Sequence, residues 1–483
     1  MKKSLFLLMA GALALCACDP NGKEPGNGPT PPAEPVFALE WAYPVGGYNA
    51  RIVPAIDDNG NVYINSHSTN EVFKISNTGQ LLWKVAPGYE GGTGSSLSIE
   101  KDGSAVYAMG GKKGAQYVET GLYILNGADG SVANTFLNPK FFAGGGTPGI
   151  GVNGTTCPSY DETHIYVGNG GTVGTVLSIK KADFTREAYV SGNAAGEGGP
   201  NGGCSSNIAI SKSGKLAFMS NGLYIVDYAA MQHPTLENAT LGEYVYYDQQ
   251  VRNHYGWGAG KEIGVTCGAI DGVEHFFYSI YGNNDNKTSV CAIKADGSTN
   301  TPTFEHPCVN AAKSDQGGGI IGAQGEYIFG LKNAADAPGG LYAVNTAGEL
   351  AWRYESGTPV SSAPALDNQG NVHFADEAGF YYILKPDYEN KTATEVVKVA
   401  IVDLLVEAGV EVAPESTAKT WTSIMLDKSG KIYVATTVYP VGGAVDVDGV
   451  GYVLCMSYTT CTGVGVSSWP MKYADQYHSG IQK

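Results

Sequence analysis

The stretch IVPAIDDNGNVYI, residues 52–64, decides the fold. A short apolar run meets an acidic and polar turn ending in Gly60, and an alternating apolar run follows. That pattern describes two antiparallel strands joined by a tight glycine turn. It returns as LSIEKDGSAVYAM at 97–109, IAISKSGKLAFM at 208–219, APALDNQGNVHFA at 363–375 and SIMLDKSGKIYVA at 423–435. Three more copies keep the strands and alter the turn: SYDETHIYVG at 159–168, AIDGVEHFFYSI at 269–280 and IIGAQGEYIFG at 320–330. Self-similar β-units at a regular pitch stack or array radially.

Laid over one another, the repeats begin near Arg51, Ser95, Thr156, Gly203, Thr266, Gly318, Ser361 and Trp421. Their spacing, about 53 residues, exceeds the ~40–45 of a minimal four-stranded propeller blade, so the loops carry insertions. A third strand is plain in GLYIL (121–125), GLYIV (222–226), GLYAV (340–344) and FYYIL (380–384). The expectation is all-β: a single eight-bladed β-propeller, with seven blades as the alternative. Tryptophan supplies the closure. Trp83 in LLWKV and Trp352 in LAWRY sit in last strands, shortly before the next repeat's turn glycine. Trp41 in LEWAY has the same spacing to Gly60, yet no repeat precedes it. An N-terminal strand is therefore predicted to complete the last blade, which also removes exposed sheet edges.

Composition agrees. Charged residues are 16%, with 67 Gly and 30 Tyr, which suits strands and tight turns better than helices. A net charge of −16 argues against nucleic acid and against an anionic lipid surface, both of which need a basic face. One helical signal stands out at Thr392–Ala408, with Thr392 and Glu395 as a capping box and Gly409 at the stop. The segment is also β-branched enough for a strand; a helical insertion is the favoured reading.

At the N-terminus, Lys2 and Lys3 precede the apolar run Leu5–Leu15, too short for a permanent membrane span. The run ends in Leu15-Cys16-Ala17-Cys18, which resembles a bacterial lipoprotein processing box with Cys18 as the lipidated residue. Cys16 would place Leu15 where a small residue belongs. The expected organisation is a signal peptide at 1–17, a flexible Pro/Gly/Asn-rich tether at 18–37 and the propeller at 38–483. Early acidic residues, Asp19 and Glu24, loosely resemble the surface-export signals of some Bacteroidota lipoproteins. The implied location is the outer membrane, anchored by lipid and facing periplasm or exterior.

The repeats and their terminal tryptophan strands resemble the quinoprotein-type (PQQ-like) eight-bladed propeller family. The C-terminal SSWPMKYADQYHSG (467–480) resembles a segment common beside such repeats, through Trp469, Pro470, Met471, Asp475, His478 and Gly480. The resemblance implies fold more than function, because this superfold hosts dehydrogenases, assembly scaffolds and binding proteins. Its enzymes hold Ca²⁺ against the quinone with carboxylate and amide ligands, and often have a vicinal disulfide. Here no Cys-Cys pair, no C-x-x-C-H and no recognisable Glu…Asn…Asp set follows the leader. Neither PQQ nor calcium is expected as a cofactor.

Cys157, Cys204 and Cys267 open consecutive repeats at nearly one register, so a soft-metal or disulfide site at the channel is imaginable. The favoured reading is small, slightly apolar residues on a crowded wall. Cys291 with Cys308, and Cys455 with Cys461, are disulfide candidates in an oxidising compartment. Aromatics in inter-blade loops are the ligand candidates: His254, Tyr255 and Trp257 in HYGWG, Tyr48, Tyr89 and Trp421. Such rings can stack on sugars while Asn and Asp bond hydroxyls, or they can fill gaps between blades. DVDG at 446–449 and NNDN at 283–286 lack a full cation-ligand set and read as turns. No nucleophile elbow, phosphate loop or metalloprotease motif occurs. The sequence reading is a monomeric, non-catalytic envelope protein that binds a glycan or another envelope protein. The alternatives are an outer-membrane assembly scaffold and a polysaccharide lyase or hydrolase working in the funnel.

Overall fold

A computed structural model describes residues 35–483 apart from 48–51, 67, 89–94, 113–118, 138–156, 170–174, 185, 192–205, 220–221, 228–248, 253–263, 282–287, 300, 309–313 and 332–337. Val36–Lys483 forms one compact unit. It holds eight antiparallel sheets, which settles eight blades over seven. Within blades 1 to 7 the strands follow chain order from the inner edge outward. Inner strands are Ala55–Ile56, Ser98–Ile99, Ser159–Tyr160, Ala209–Ile210, Thr266–Ile270, Ser314–Ile321, Ala365–Leu366 and Met425–Leu426, matching the eight repeats in sequence.

Blade 8 is completed from the other end of the chain. Phe37–Pro44 pairs antiparallel with Val450–Tyr458, setting Trp41 opposite Cys455. The contact made by this borrowed strand repeats the contact made between consecutive blades. Trp83, on the outer strand of blade 1, lies on Gly130 of blade 2 and donates its Nε1–H to Gly127 O at 3.0 Å. Trp41 lies on Gly79 of blade 1 and donates to Asn77 O at 3.1 Å. Gly79 (φ +79°) and Gly130 (φ +76°) have left-handed backbones, and a Cβ there would come within 2.6 and 2.7 Å of the tryptophan ring. Because the two interfaces share one geometry, Trp41→Ala and Trp83→Ala should each cost about 2–3 kcal/mol in urea unfolding. A cost for Trp83→Ala alone would reduce the N-terminal strand to a cap.

Thr392–Ala408 divides. Thr392–Ala400 is the outer strand of blade 7, and a short helix, Ile401–Glu407, follows it. The expected capping box does not form: the N-cap is Ala400, with no side-chain cap. Burial of Ile401, Leu404 and Leu405 holds the helix instead, so tertiary packing outweighs the local capping signal. Gly409 ends it, at φ +79° with its N–H on Val406 O, as its position suggested. Among the described residues no helix is long and apolar enough to cross a membrane.

Candidate functional site

Two structures organise the ring's interior. The first is the C-terminal segment, which circles the inner strands at the ends where they enter their turns. Ile56 N donates to Gln476 O (2.7 Å), Ile99 N to Tyr477 O (3.1 Å), Tyr160 N to Ser479 O (2.9 Å) and Ile210 N to Gly480 O (2.7 Å). Ile321 N donates to Trp469 O (2.9 Å) and Leu366 N to Pro470 O (2.8 Å). Blade 8 joins through Lys428 N and Gln476 Oε1 (2.9 Å), and blade 5 through Ser468 Oγ and Cys267 O (3.1 Å). Lys483 N reaches Ser468 O at 3.0 Å, so the segment closes on itself. It contacts all eight blades and plugs one mouth of the channel.

This gives each matched residue of the SSWPMKYADQYHSG motif a structural task. Trp469 and Met471 are buried in separate apolar clusters. The Asp475 carboxylate accepts from the N–H groups of Tyr477 and Ser479 and from Ser479 Oγ, fixing the bend. Gly480 sits at φ +73°, where a Cβ would lie 2.4 Å from Ser159 Oγ. His478 is fully buried, its ring 4.7 Å from Tyr473 and its Nδ1 donating to Leu97 O at 2.6 Å. Burial lowers its pKa to about 3, against the contrary pull of the Leu97 carbonyl, so the imidazole is neutral. Cys157 Sγ lies 3.7 Å from the same nitrogen, and burial raises that thiol well above its usual range. This Cys–His contact is sealed from solvent, and both groups stay uncharged.

The second structure is a clasp inside the repeat. The acid opening the turn accepts two backbone N–H groups on Oδ1, and on Oδ2 it takes a phenol six residues on. Asp57 holds Tyr63 and Asp427 holds Tyr433, both at 3.1 Å. The acids lie in the turns of the repeat pattern; the phenols, six residues on in both blades, are a constant spacing that the pattern alone does not connect to them. Blade 7 departs from the pattern: six residues after Asp367 stands His373, whose Nε2 meets Asp367 Oδ2 at 3.1 Å. Its Nδ1 meets the Tyr381 hydroxyl at 2.6 Å. Cys461 approaches from the chain leaving blade 8; its Sγ and the ligand atoms of Asp367 and His373 all lie within 4.8 Å of one another. Burial alone would raise the Asp367 carboxyl, but His373 and Asn371 bring it below its ordinary value. Burial, reinforced by Asp367, pushes Cys461 up to about 12.

Of the expected aromatic ligand residues, Trp421 is described. It enters the inner strand of blade 8 at the mouth opposite the plug, half-buried, with Lys419 Nζ 4.4 Å above its ring. Lys419 also pairs with Glu377 of blade 7 at 3.4 Å, and Glu377 accepts from Ser361 Oγ. An aromatic face with a paired cation and carboxylate thus lies between blades 7 and 8. Tyr48, Tyr89, His254, Tyr255 and Trp257 fall outside the described residues, as do Cys18, Cys204 and the NNDN segment. DVDG is a turn in which Asp448 accepts from Ala444 N.

Cys157, Cys267, Cys291, Cys308, Cys455 and Cys461 are all buried and all free thiols. Cys157 and Cys267 stand three residues before Tyr160 and Ile270, where Ser96 and Ser423 stand in blades 2 and 8. Those serines link neighbouring blades by accepting from Val53 N and Ala363 N. In blade 1 the position is Val53. In blade 4 it is Asn207, bonded to both the N–H and the carbonyl of Val265. Cys204, grouped with Cys157 and Cys267 in the sequence, lies three residues before it.

No protein-family model matches the chain, and no curated protein matches it. Solved structures do. The quinohemoprotein alcohol dehydrogenase of Comamonas testosteroni aligns over 87% of this chain and 76% of its own, with TM-score 0.56 at 13% identity. The likeness is one of fold, between this eight-bladed propeller and that enzyme. Quinohemoprotein alcohol dehydrogenase ADHIIG of Pseudomonas putida HK5 gives the same coverage and TM-score at 14% identity. BamB of Moraxella catarrhalis aligns over 87% of this chain and 99% of its own, at 11% identity and TM-score 0.49. Identities this low describe the scaffold and leave activity to the site.

Proposed function

We propose that this chain is a non-catalytic, lipid-anchored binding protein of a bacterial cell envelope, and that the mouth opposite the plug takes carbohydrate. The observation that carries the reading is the Trp421–Lys419–Glu377 group, a half-open aromatic face flanked by charged hydrogen-bonding groups. Sugars pair such a face with their C–H surfaces and such charges with their hydroxyls. The reading gains support from the interior, where the Cys157–His478 and Asp367–His373–Cys461 groups are buried away from any substrate. The anchor and the tether come from Cys18 and residues 18–37.

The test is retardation of residues 37–483 on host, dietary and bacterial polysaccharides, with products checked for new reducing ends and unsaturated sugars. Retardation without turnover is the expected result. Trp421→Ala should weaken it about tenfold, as for a central aromatic anchor, and adding Trp257→Ala should weaken it further. Turnover would overturn the non-catalytic reading. No retardation on any polymer would replace sugar with a protein partner, to be sought by crosslinking in the envelope.

A further inference from the structure

We propose that Asp367, His373 and Cys461 form a structural binding site for a zinc-class divalent cation, where blade 7 meets the chain leaving blade 8. The inference is independent of the glycan reading. It starts from the broken clasp. In blades 1 and 8 the turn acid is completed by a phenol, which can only donate a proton to it. In blade 7 the same place holds an imidazole, a metal ligand, and there a thiol joins it.

The donor set fits the ion. A carboxylate oxygen, an imidazole nitrogen and a thiolate sulfur are the three ligand types of zinc sites, with bonds of about 2.0–2.3 Å. Two such ligands on one tetrahedral ion lie about 3.3–3.7 Å apart. His373 Nε2 and Asp367 Oδ2, at 3.1 Å, are already near that separation. Cys461 needs a shift of about 1 Å to close the set. At present its thiol makes one weak hydrogen bond, 3.9 Å to Gly463 O, which the metal bond would replace.

The surrounding groups keep their partners on loading. Asp367 Oδ1 still accepts from Gln369 N and Asn371 N, each at 2.8 Å, and Asn371 Nδ2 still donates to Oδ2. The imidazole proton moves from Nε2 to Nδ1, where Tyr381 Oη at 2.6 Å accepts it and orients the ring. The thiol proton leaves to solvent as the S–metal bond forms. One cation then balances one carboxylate and one thiolate, so the loaded site is neutral, as a site with all three side chains buried requires. The fourth position is left to water or to the Gly463 carbonyl.

The test is metal content and cobalt spectroscopy on residues 37–483. Protein from zinc-supplemented growth should retain about one ion per chain after gel filtration. Refolding with Co²⁺ should give a thiolate-to-metal charge-transfer band. Cys461→Ser should abolish that band, and His373→Tyr, which restores the phenol of blades 1 and 8, should weaken binding at least about 100-fold. Urea unfolding without metal shows that each variant is folded. Folded wild-type protein that takes neither zinc nor cobalt, even when refolded with them, overturns the proposal. So does full occupancy in both folded variants.

Discussion

A chain ended at Thr462 is expected to lose cooperative unfolding altogether. The missing segment supplies acceptors for the inner-strand N–H groups of six blades and side-chain links to the other two. Those six hydrogen bonds contribute about 1 kcal/mol each, and the N–H groups left without partners inside the ring add their desolvation cost. Trp469, Met471 and Tyr473 go as well, each fully buried, and each such loss costs about 2–5 kcal/mol. The total exceeds the roughly 5–15 kcal/mol by which a domain is stable. The shortened chain should keep much of its far-UV strand signal, lose its near-UV signal and bind a hydrophobic dye. A peptide of residues 463–483 added in excess should restore part of the transition. Trp469→Ala in the full chain separates packing from backbone pairing and should cost about 3–5 kcal/mol with an unchanged urea slope. A shortened chain that unfolds cooperatively at the original midpoint would make the segment a passive cover.

How far the sequence foretold this depends on the range of each signal. The inner strands and turns were legible because each repeat carries its own pattern within about a dozen residues. Closure was legible for a related reason: Trp41 has the spacing of Trp83 and Trp352 without a repeat before it. The hub was not. The 467–480 motif was visible as a family mark, but its partners lie as far as 420 residues away, as Gln476 does from Ile56. Nothing local states that distance. Thr392–Ala408 carries both a strand and a helix signal, and the structure divides it between the two. Its capping residues are a local signal, and pairing with Phe380–Asp387 overrides it for nine residues. The Asp367 group needed both kinds of information. The exchange of phenol for imidazole lies in the repeat alignment, while the approach of Cys461 comes from the fold.

His478 and His373 are both held inside the ring. His478 lies in the plug and His373 lies in the broken clasp, both at 0% exposure. Each ties its surroundings together, His478 through Leu97 O and His373 through Asp367 and Tyr381.

His478 should also set the acid limit of stability. In the unfolded chain its imidazole titrates near 6.5, whereas burial holds it near 3 in the ring. As pH falls below 6.5 the unfolded state takes a proton that the folded state refuses, so stability drops. The slope approaches about 1.4 kcal/mol per pH unit and the loss is on the order of 4 kcal/mol by pH 3. His275 adds in the same direction, because burial lowers its pKa too while Val273 O and Thr303 Oγ1 hold its ring. Carboxylates such as Asp367 and Asp161, held below 3.8, lose their contribution lower on the scale, so the windows separate. His478→Asn is the informative variant. Asparagine tolerates the left-handed φ of +64° at this position and can still donate to the Leu97 carbonyl. It should cost roughly 1–2 kcal/mol at pH 7.5 from lost packing against Tyr473. Between pH 6.5 and 4 its stability should fall by about one proton's slope less than the wild type, leaving the share of His275. Urea midpoints measured across that range decide it. Parallel curves for the two proteins would mean that His478 takes its proton while still folded, and that the plug opens to water more readily than its packing implies.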